Sequence, residues 1–142
     1  MVWNGVDVER YDPRKVPAEA VAALRERYQL AADDIVLLFV GRLTWVKGVA
    51  NLVRAMPLVL QEHPQARLII LGRGEDEALI RGLVGSLNLE HAVRLRCEFV
   101  SEDERIAHYA LADICVFPSV YEPFGIVSLE AMAMERPVVV GA

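Results

Sequence analysis

Long apolar runs are missing from this 142-residue chain. A helix that spans a bilayer needs about 20 consecutive apolar residues, and none is present. No signal peptide appears at Met1, so cytoplasm is the expected compartment. Cysteine is scarce: Cys97 and Cys115 stand alone, without a CxxC pair or a Cys/His metal spacing, and no metal site is expected. The three histidines, His63, His91 and His108, are scattered near helix ends or loops and read as ordinary surface residues rather than ligands. An excess of basic residues is also missing. The net charge of −5 argues against coating a nucleic acid, though it leaves room for one anionic small molecule in a local basic pocket. Lysine is rare, two residues against 13 arginines, and one of the two is Lys47. What remains is 54% hydrophobic and 25% charged, the make-up of one globular domain with a filled core.

Residues 1–16 read as irregular, with turns at Asn4-Gly5 and Asp12-Pro13. Pro17 opens a helix to about Leu30, with Val21, Leu24 and Tyr28 on one face. Ile35–Val40 is a continuous apolar run ending at Gly41, as in a buried strand. Lys47–Glu62 reads as a helix with Leu52, Val53, Met56 and Leu60 inward, kinked or split by Pro57. Then come a strand at 67–71 stopped by Gly72-Arg73-Gly74, a helix at 76–87 weakened by Gly82 and Gly85, and a strand at 93–97. Ser101-Glu-Asp-Glu104 is a capping box for a helix to about Leu111. A strand at 114–117, a helix at 125–135 and a strand at 137–140 complete the pattern.

Alternating, all-apolar strands and helices predict an α/β fold: a doubly wound, Rossmann-like, parallel five-stranded sheet with helices on both faces. Right-handed crossovers give the order 3-2-1-4-5. The strands carrying Cys97 and Cys115 then lie three spacings apart, roughly 14 Å at about 4.8 Å per spacing, which argues against a disulfide. The chain stops at Gly141-Ala142, directly after the last strand, and is expected to be a fragment of a longer protein with that strand's edge uncovered.

Open parallel sheets bind ligands at the carboxyl ends of their strands, beside the switch in strand order. Two loops meet there, Gly41-Arg-Leu-Thr-Trp-Val-Lys-Gly48 and Ser119-Val-Tyr-Glu-Pro-Phe-Gly125. Arg42 and Lys47 bring two cations, and the helix that follows Gly125 brings an N-terminus that favours an anion. Together these suit a diphosphate. Glu122 and Glu130, eight residues apart, suit sugar or ribose hydroxyls. Glu130 sits among Leu129, Ala131, Met132 and Ala133, where an acid needs a partner, and a ligand hydroxyl is one candidate. Gly41–Gly48 is not a Walker A loop, because the Gly-Lys-Ser/Thr ending is absent. Gly72-Arg73-Gly74 is half of a dinucleotide fingerprint and follows the second strand; a plain turn is the simpler reading.

Over nearly its whole length the chain resembles the family 4 (group 1) glycosyltransferases, in the C-terminal, donor-binding half of the GT-B fold. The resemblance runs from Asn4-Gly5-Val6-Asp7, through Gly41-Arg42-Leu43 with Lys47-Gly48 and Leu71-Gly72-Arg73-Gly74-Glu75, to Glu122-Pro123-Phe124-Gly125 and Glu130-Ala131-Met132-Ala133. It implies a single nucleotide-sugar-binding domain over 1–142, with the N-terminal acceptor domain and the final C-terminal elements absent. It also implies a retaining hexosyltransferase that uses an NDP-sugar (UDP-, ADP- or GDP-hexose) and needs no metal or other cofactor. Arg42 and Lys47 would stabilise the diphosphate leaving group, Glu122 would contact the transferred sugar, and Glu130 would accept from both ribose hydroxyls. Amides at Phe124 and Gly125, leading into Ile126, would hold the sugar and distal phosphate. Gly41, Gly72 and Gly74 would shape the phosphate loops, and 96–99, with Cys97, would line the base through main chain. Cys97-Glu98-Phe99 departs from the Gly-Phe or Gly-Tyr frequent in the family; some glycogen-synthase-like members also carry an acid there, and the nucleotide stays open. The acceptor, a glycan, lipid or small molecule, would bind the absent half, with room for peripheral membrane association of the full-length protein. Alternatives are a GT-B-fold nucleotide-sugar epimerase and a non-catalytic nucleotide-sugar-binding module. If Glu130 were purely structural, Glu130→Ala would be expected to leave binding unchanged and to stabilise the fold by removing a buried acid.

Overall fold

The structure is a computed structural model that describes residues 5–121 and 125–141. Among the described residues five α-helices and five strands alternate: α1 (Ala18–Arg27), β1 (Ile35–Val40), α2 (Val49–Glu62), β2 (Ala66–Leu71), α3 (Glu77–Ser86), β3 (Val93–Arg96), α4 (Glu102–Leu111), β4 (Ile114–Phe117), α5 (Ile126–Ala133) and β5 (Val138–Val140). The sheet is parallel throughout, in the order β3-β2-β1-β4-β5. Central strand β1 pairs with β2 from Ile35↔Ala66 to Val40↔Leu71 and with β4 at Leu37↔Ile114 and Leu38↔Cys115. Val36, Leu38, Phe39, Leu68, Ile69 and Ile70 alternate across both faces and are all buried, so both faces are covered. Crossing β1 reverses the direction of winding, which leaves the ends of β1 and β4 side by side.

Three local expectations change. Pro57 does not split α2, which runs unbroken to Glu62. An interior proline costs about 3 kcal/mol, but burying Val49, Leu52, Val53 and Met56 returns about 1.5–3 kcal/mol for each large side chain. The helix begins later than expected because Trp45–Lys47 forms a 3-10 turn and Gly48 takes a left-handed φ of 72°. Second, β3 is not all-apolar: Val93-Arg94-Leu95-Arg96 alternates at the sheet edge. Its guanidinium groups leave the core, Arg94 to the Tyr28 carbonyl and Arg96 to Glu98 and Glu104.

Third, His108 is a core residue, whereas His63 and His91 are exposed as expected. His108 sits where α4 packs on α1. Its Nδ1 lies 2.6 Å from the Glu104 carbonyl and its Nε2 lies 2.7 Å from the Tyr28 hydroxyl. A carbonyl only accepts, so Nδ1 carries the proton and Nε2 accepts from Tyr28. That neutral tautomer satisfies both ring nitrogens, which is why the buried site tolerates histidine. Burial pushes its pKa down, against the backbone bond to Glu104. The start of α4 follows expectation, with Ser101 Oγ accepting from the Glu104 amide at 3.1 Å. Cys97 and Cys115 are both free thiols.

Candidate functional site

The loops at the carboxyl ends of β1, β2 and β4 are locked into one rim. Leu43 N–H donates to the Arg73 carbonyl at 2.9 Å, and Asp76 N–H donates to the Leu43 carbonyl at 2.8 Å. Gly72 is required by this approach: a Cβ there would fall 1.8 Å from the Gly41 carbonyl oxygen. At Gly74 a Cβ would meet the Leu43 oxygen at 2.5 Å. On the other side, Val120 N–H donates to the Val46 carbonyl at 2.7 Å. Gly48 lies so close to Pro118 that a Cβ would meet its carbonyl oxygen at 2.1 Å. The Arg42–Lys47 loop is therefore held between its two neighbours.

A groove of about 300 Å3 opens on this rim, lined by Gly41, Arg42, Gly72, Arg73, Phe99 and Arg105 among others. Three arginines thus line one small space in a chain of net charge −5. The Arg73 guanidinium lies 6.0 Å from the Phe99 ring centroid, over an exposed aromatic face. Glu98 also borders the groove, and its ion pairs with Arg96 at 2.9 Å and Arg27 at 3.1 Å hold its carboxyl below the usual range. Lys47 is half-buried on the 3-10 turn beside the 118–120 loop. Gly125, at φ 61°, begins α5 without a side-chain cap, and Ile126 is its first helical residue. Glu122, Pro123 and Phe124 lie outside the described residues. Cys97 lines a separate hollow with Arg27, Arg81 and Arg96. Its thiol pKa is raised, first by burial and then by Glu77.

Glu130 is buried at 8% exposure, and the chain itself supplies the partners that such an acid requires. Tyr109 donates to Oε2 at 2.7 Å and Tyr11 donates to Oε1 at 3.3 Å. Arg105 Nε stands 3.4 Å from Oε2, and Arg105 Nη2 donates to the Tyr11 hydroxyl at 2.8 Å. Burial and Glu130 both push the Tyr109 pKa far up; burial foremost brings Tyr11 to about 12. Burial works against the Arg105 charge, but Tyr11 and Glu130 outweigh it and raise its pKa. An ionised carboxylate offers about four acceptor sites, so the two phenols leave capacity for further donors. Sequence reasoning missed Tyr11, Arg105 and Tyr109. Arg105 and Tyr109 fall at i and i+4 on α4, a usable signal; nothing in the irregular lead-in marked Tyr11.

A larger hollow, about 590 Å3, lies between the lead-in and α4. Four carboxylates border it (Asp7, Glu9, Asp12 and Asp103) against two cations (Arg10 and Lys15), and it shares no lining residue with the groove. Its charge disfavours a diphosphate, and the smaller groove is the better anion site. Among the described residues no cluster of three His, Cys, Asp or Glu could hold a metal ion, and no helix is long and apolar enough to cross a membrane.

The profile of the family described as Glycosyl transferases group 1 matches residues 21–142. An uncharacterized glycosyltransferase of Methanocaldococcus jannaschii is 40% identical over 142 residues, covering 100% of this chain and 36% of the relative. The crystal structure of Anabaena HepE in complex with UDP and glucose superposes with a TM-score of 0.81 at 26% identity, covering 98% of this chain and 37% of that one. The C-terminal domain of a glycosyl transferase group 1 family protein (LpcC) from Francisella tularensis shares the fold, with a TM-score of 0.76 at 23% identity, covering 96% of this chain and 70% of that one. The chain spans about a third of the length of the curated relatives it matches.

Proposed function

The chain belongs to the glycosyl transferases of group 1, and from that premise we propose that it is the donor-binding part of a retaining hexosyltransferase that draws on a nucleoside-diphosphate sugar. The observation that carries this reading is the locked rim at the switch in strand order, where the Arg42–Lys47 loop is held against the loops that follow β2 and β4. Arg42 and Lys47 bind the diphosphate and stabilise the charge that develops as it leaves. Amides from Phe124 to Ile126, at the positive end of α5, hold the distal phosphate and the sugar. Glu130 accepts from the ribose hydroxyls with the capacity that Tyr11 and Tyr109 leave unused. Glu122 contacts a hydroxyl of the transferred sugar, and main chain at 96–99, including Cys97, borders the base. Gly41, Gly72 and Gly74 serve by letting the loops approach. No metal has a part in this scheme. The acceptor binds residues outside this chain.

Titration calorimetry with UDP, ADP, GDP and their glucose conjugates tests the reading. One nucleotide class should bind, and Arg42→Ala and Lys47→Ala should each weaken it about tenfold or more, the worth of a charge-assisted hydrogen bond. Absence of binding, or variants indistinguishable from the wild type, would contradict it.

A further inference from the structure

Arg105 links two parts of the molecule: the groove, which it lines, and the buried Glu130, which it pairs with. Its Nε is buried, has no hydrogen-bond partner among the described residues, and stands 3.4 Å from Glu130 Oε2. Its Nη2 donates to Tyr11 at 2.8 Å. With its oxygen engaged, Tyr11 has a single proton and two carboxylates within reach, Glu130 at 3.3 Å and Glu102 at 3.1 Å. Glu102 is also held by Arg10 and faced by Arg105 Nη2 at 3.5 Å. The orientation of the Glu130 carboxylate is thus set by three groups, Tyr109, Tyr11 and Arg105, and Arg105 touches or controls two of those contacts.

We propose that Arg105 is a positioning residue: it fixes the plane of the Glu130 carboxylate, directly and through Tyr11, and so sets how strongly the site distinguishes a ribonucleotide from a 2′-deoxyribonucleotide. This rests on the reading that Glu130 accepts from ribose hydroxyls. A carboxylate free to turn pairs with one hydroxyl as readily as with two; one held in plane rewards the pair. The guanidinium suits this task because it is planar and always charged, lies within ion-pair distance of Glu130 and donates to Tyr11.

The test is the ratio of dissociation constants for each nucleotide and its 2′-deoxy form, with UDP, ADP and GDP as probes. It is measured on the wild type, Arg105→Met, Arg105→Lys and Tyr11→Phe, with thermal melts to confirm that each variant is folded. The wild type should prefer the ribonucleotide about tenfold or more, as expected for a site built to hydrogen-bond a hydroxyl. Arg105→Met should bring the ratio close to unity while still binding both ligands, Tyr11→Phe should lower it part of the way, and Arg105→Lys should recover part of it. A merely structural role would weaken both ligands alike and leave the ratio unchanged, which would overturn the proposal. A folded Arg105→Met that binds neither ligand would overturn it too, by making Arg105 a direct ligand contact. If Arg105→Met does not fold, Tyr11→Phe and Arg105→Lys carry the same ratio test. A wild type that binds nucleotide without preferring the ribose form would remove the reading of Glu130 itself, and the proposal with it.

Discussion

Glu130 shows what one residue costs and what it recovers. Its carboxylate is buried, yet Tyr109 donates to it, Tyr11 stands within hydrogen-bond reach and Arg105 faces it. Removing it strands the buried Tyr109 hydroxyl, whose other contact is a long 3.5 Å approach to the Val127 carbonyl. Glu130→Ala should therefore destabilise the fold by about 1–3 kcal/mol, the cost of an unsatisfied buried polar group. That reverses the expectation that removing a purely structural acid would stabilise the fold. A melt that matches or exceeds the wild type would contradict it. The sequence showed an acid in an apolar helix that needed a partner, but not which one, because Tyr11 lies 119 residues away in a lead-in without periodicity. Gly72 is a second case. A methyl group 1.8 Å from a backbone oxygen cannot be absorbed by a side-chain rotation. Gly72→Ala should cost about 1–3 kcal/mol or more in chemical denaturation and displace the 41–43 loop.

At the level of elements, local pattern located nearly every helix and strand to within a few residues. Where it failed, the cause was tertiary. Core burial carries α2 through Pro57, and edge position lets β3 alternate. The α1–α4 contact buries His108. Burial lowers the folded-state pKa of His108, so below about pH 6.5 the unfolded chain takes up a proton that the folded chain resists. Stability should thus decline as pH falls through that region. Melts at pH 7.5 and 5.5 should show the decline in the wild type and a smaller one in His108→Gln; equal declines would contradict the assignment. In α3, a Cβ at Gly82 would meet nothing within 4 Å among the described residues, and one at Gly85 would meet only Glu90 Oε1 there, at 3.9 Å. Each Gly→Ala change should stabilise the helix by about 0.5–1 kcal/mol. A melting point that does not rise would show that one of these glycines serves something other than the helix.

At the scale of the whole molecule, the sheet order was legible because short, mostly apolar strands joined by helices permit few topologies, and the position of the groove follows from that order. The acidic hollow beside the lead-in was not legible, because it forms between segments with no shared pattern. Transfer calls for a closed, water-excluding cleft, and this chain spans about a third of its curated relatives. The isolated chain should therefore bind donor weakly and show no sustained sugar transfer. Measurable turnover by the pure chain would contradict that. The most direct test of the account is to map backbone amide shifts while UDP, ADP and GDP are titrated. Saturable shifts at Gly41–Lys47 and Gly125–Val127 are expected for one nucleotide class, with the Asp7–Lys15 hollow unmoved. Shifts centred on that hollow, or none at the rim, would contradict it.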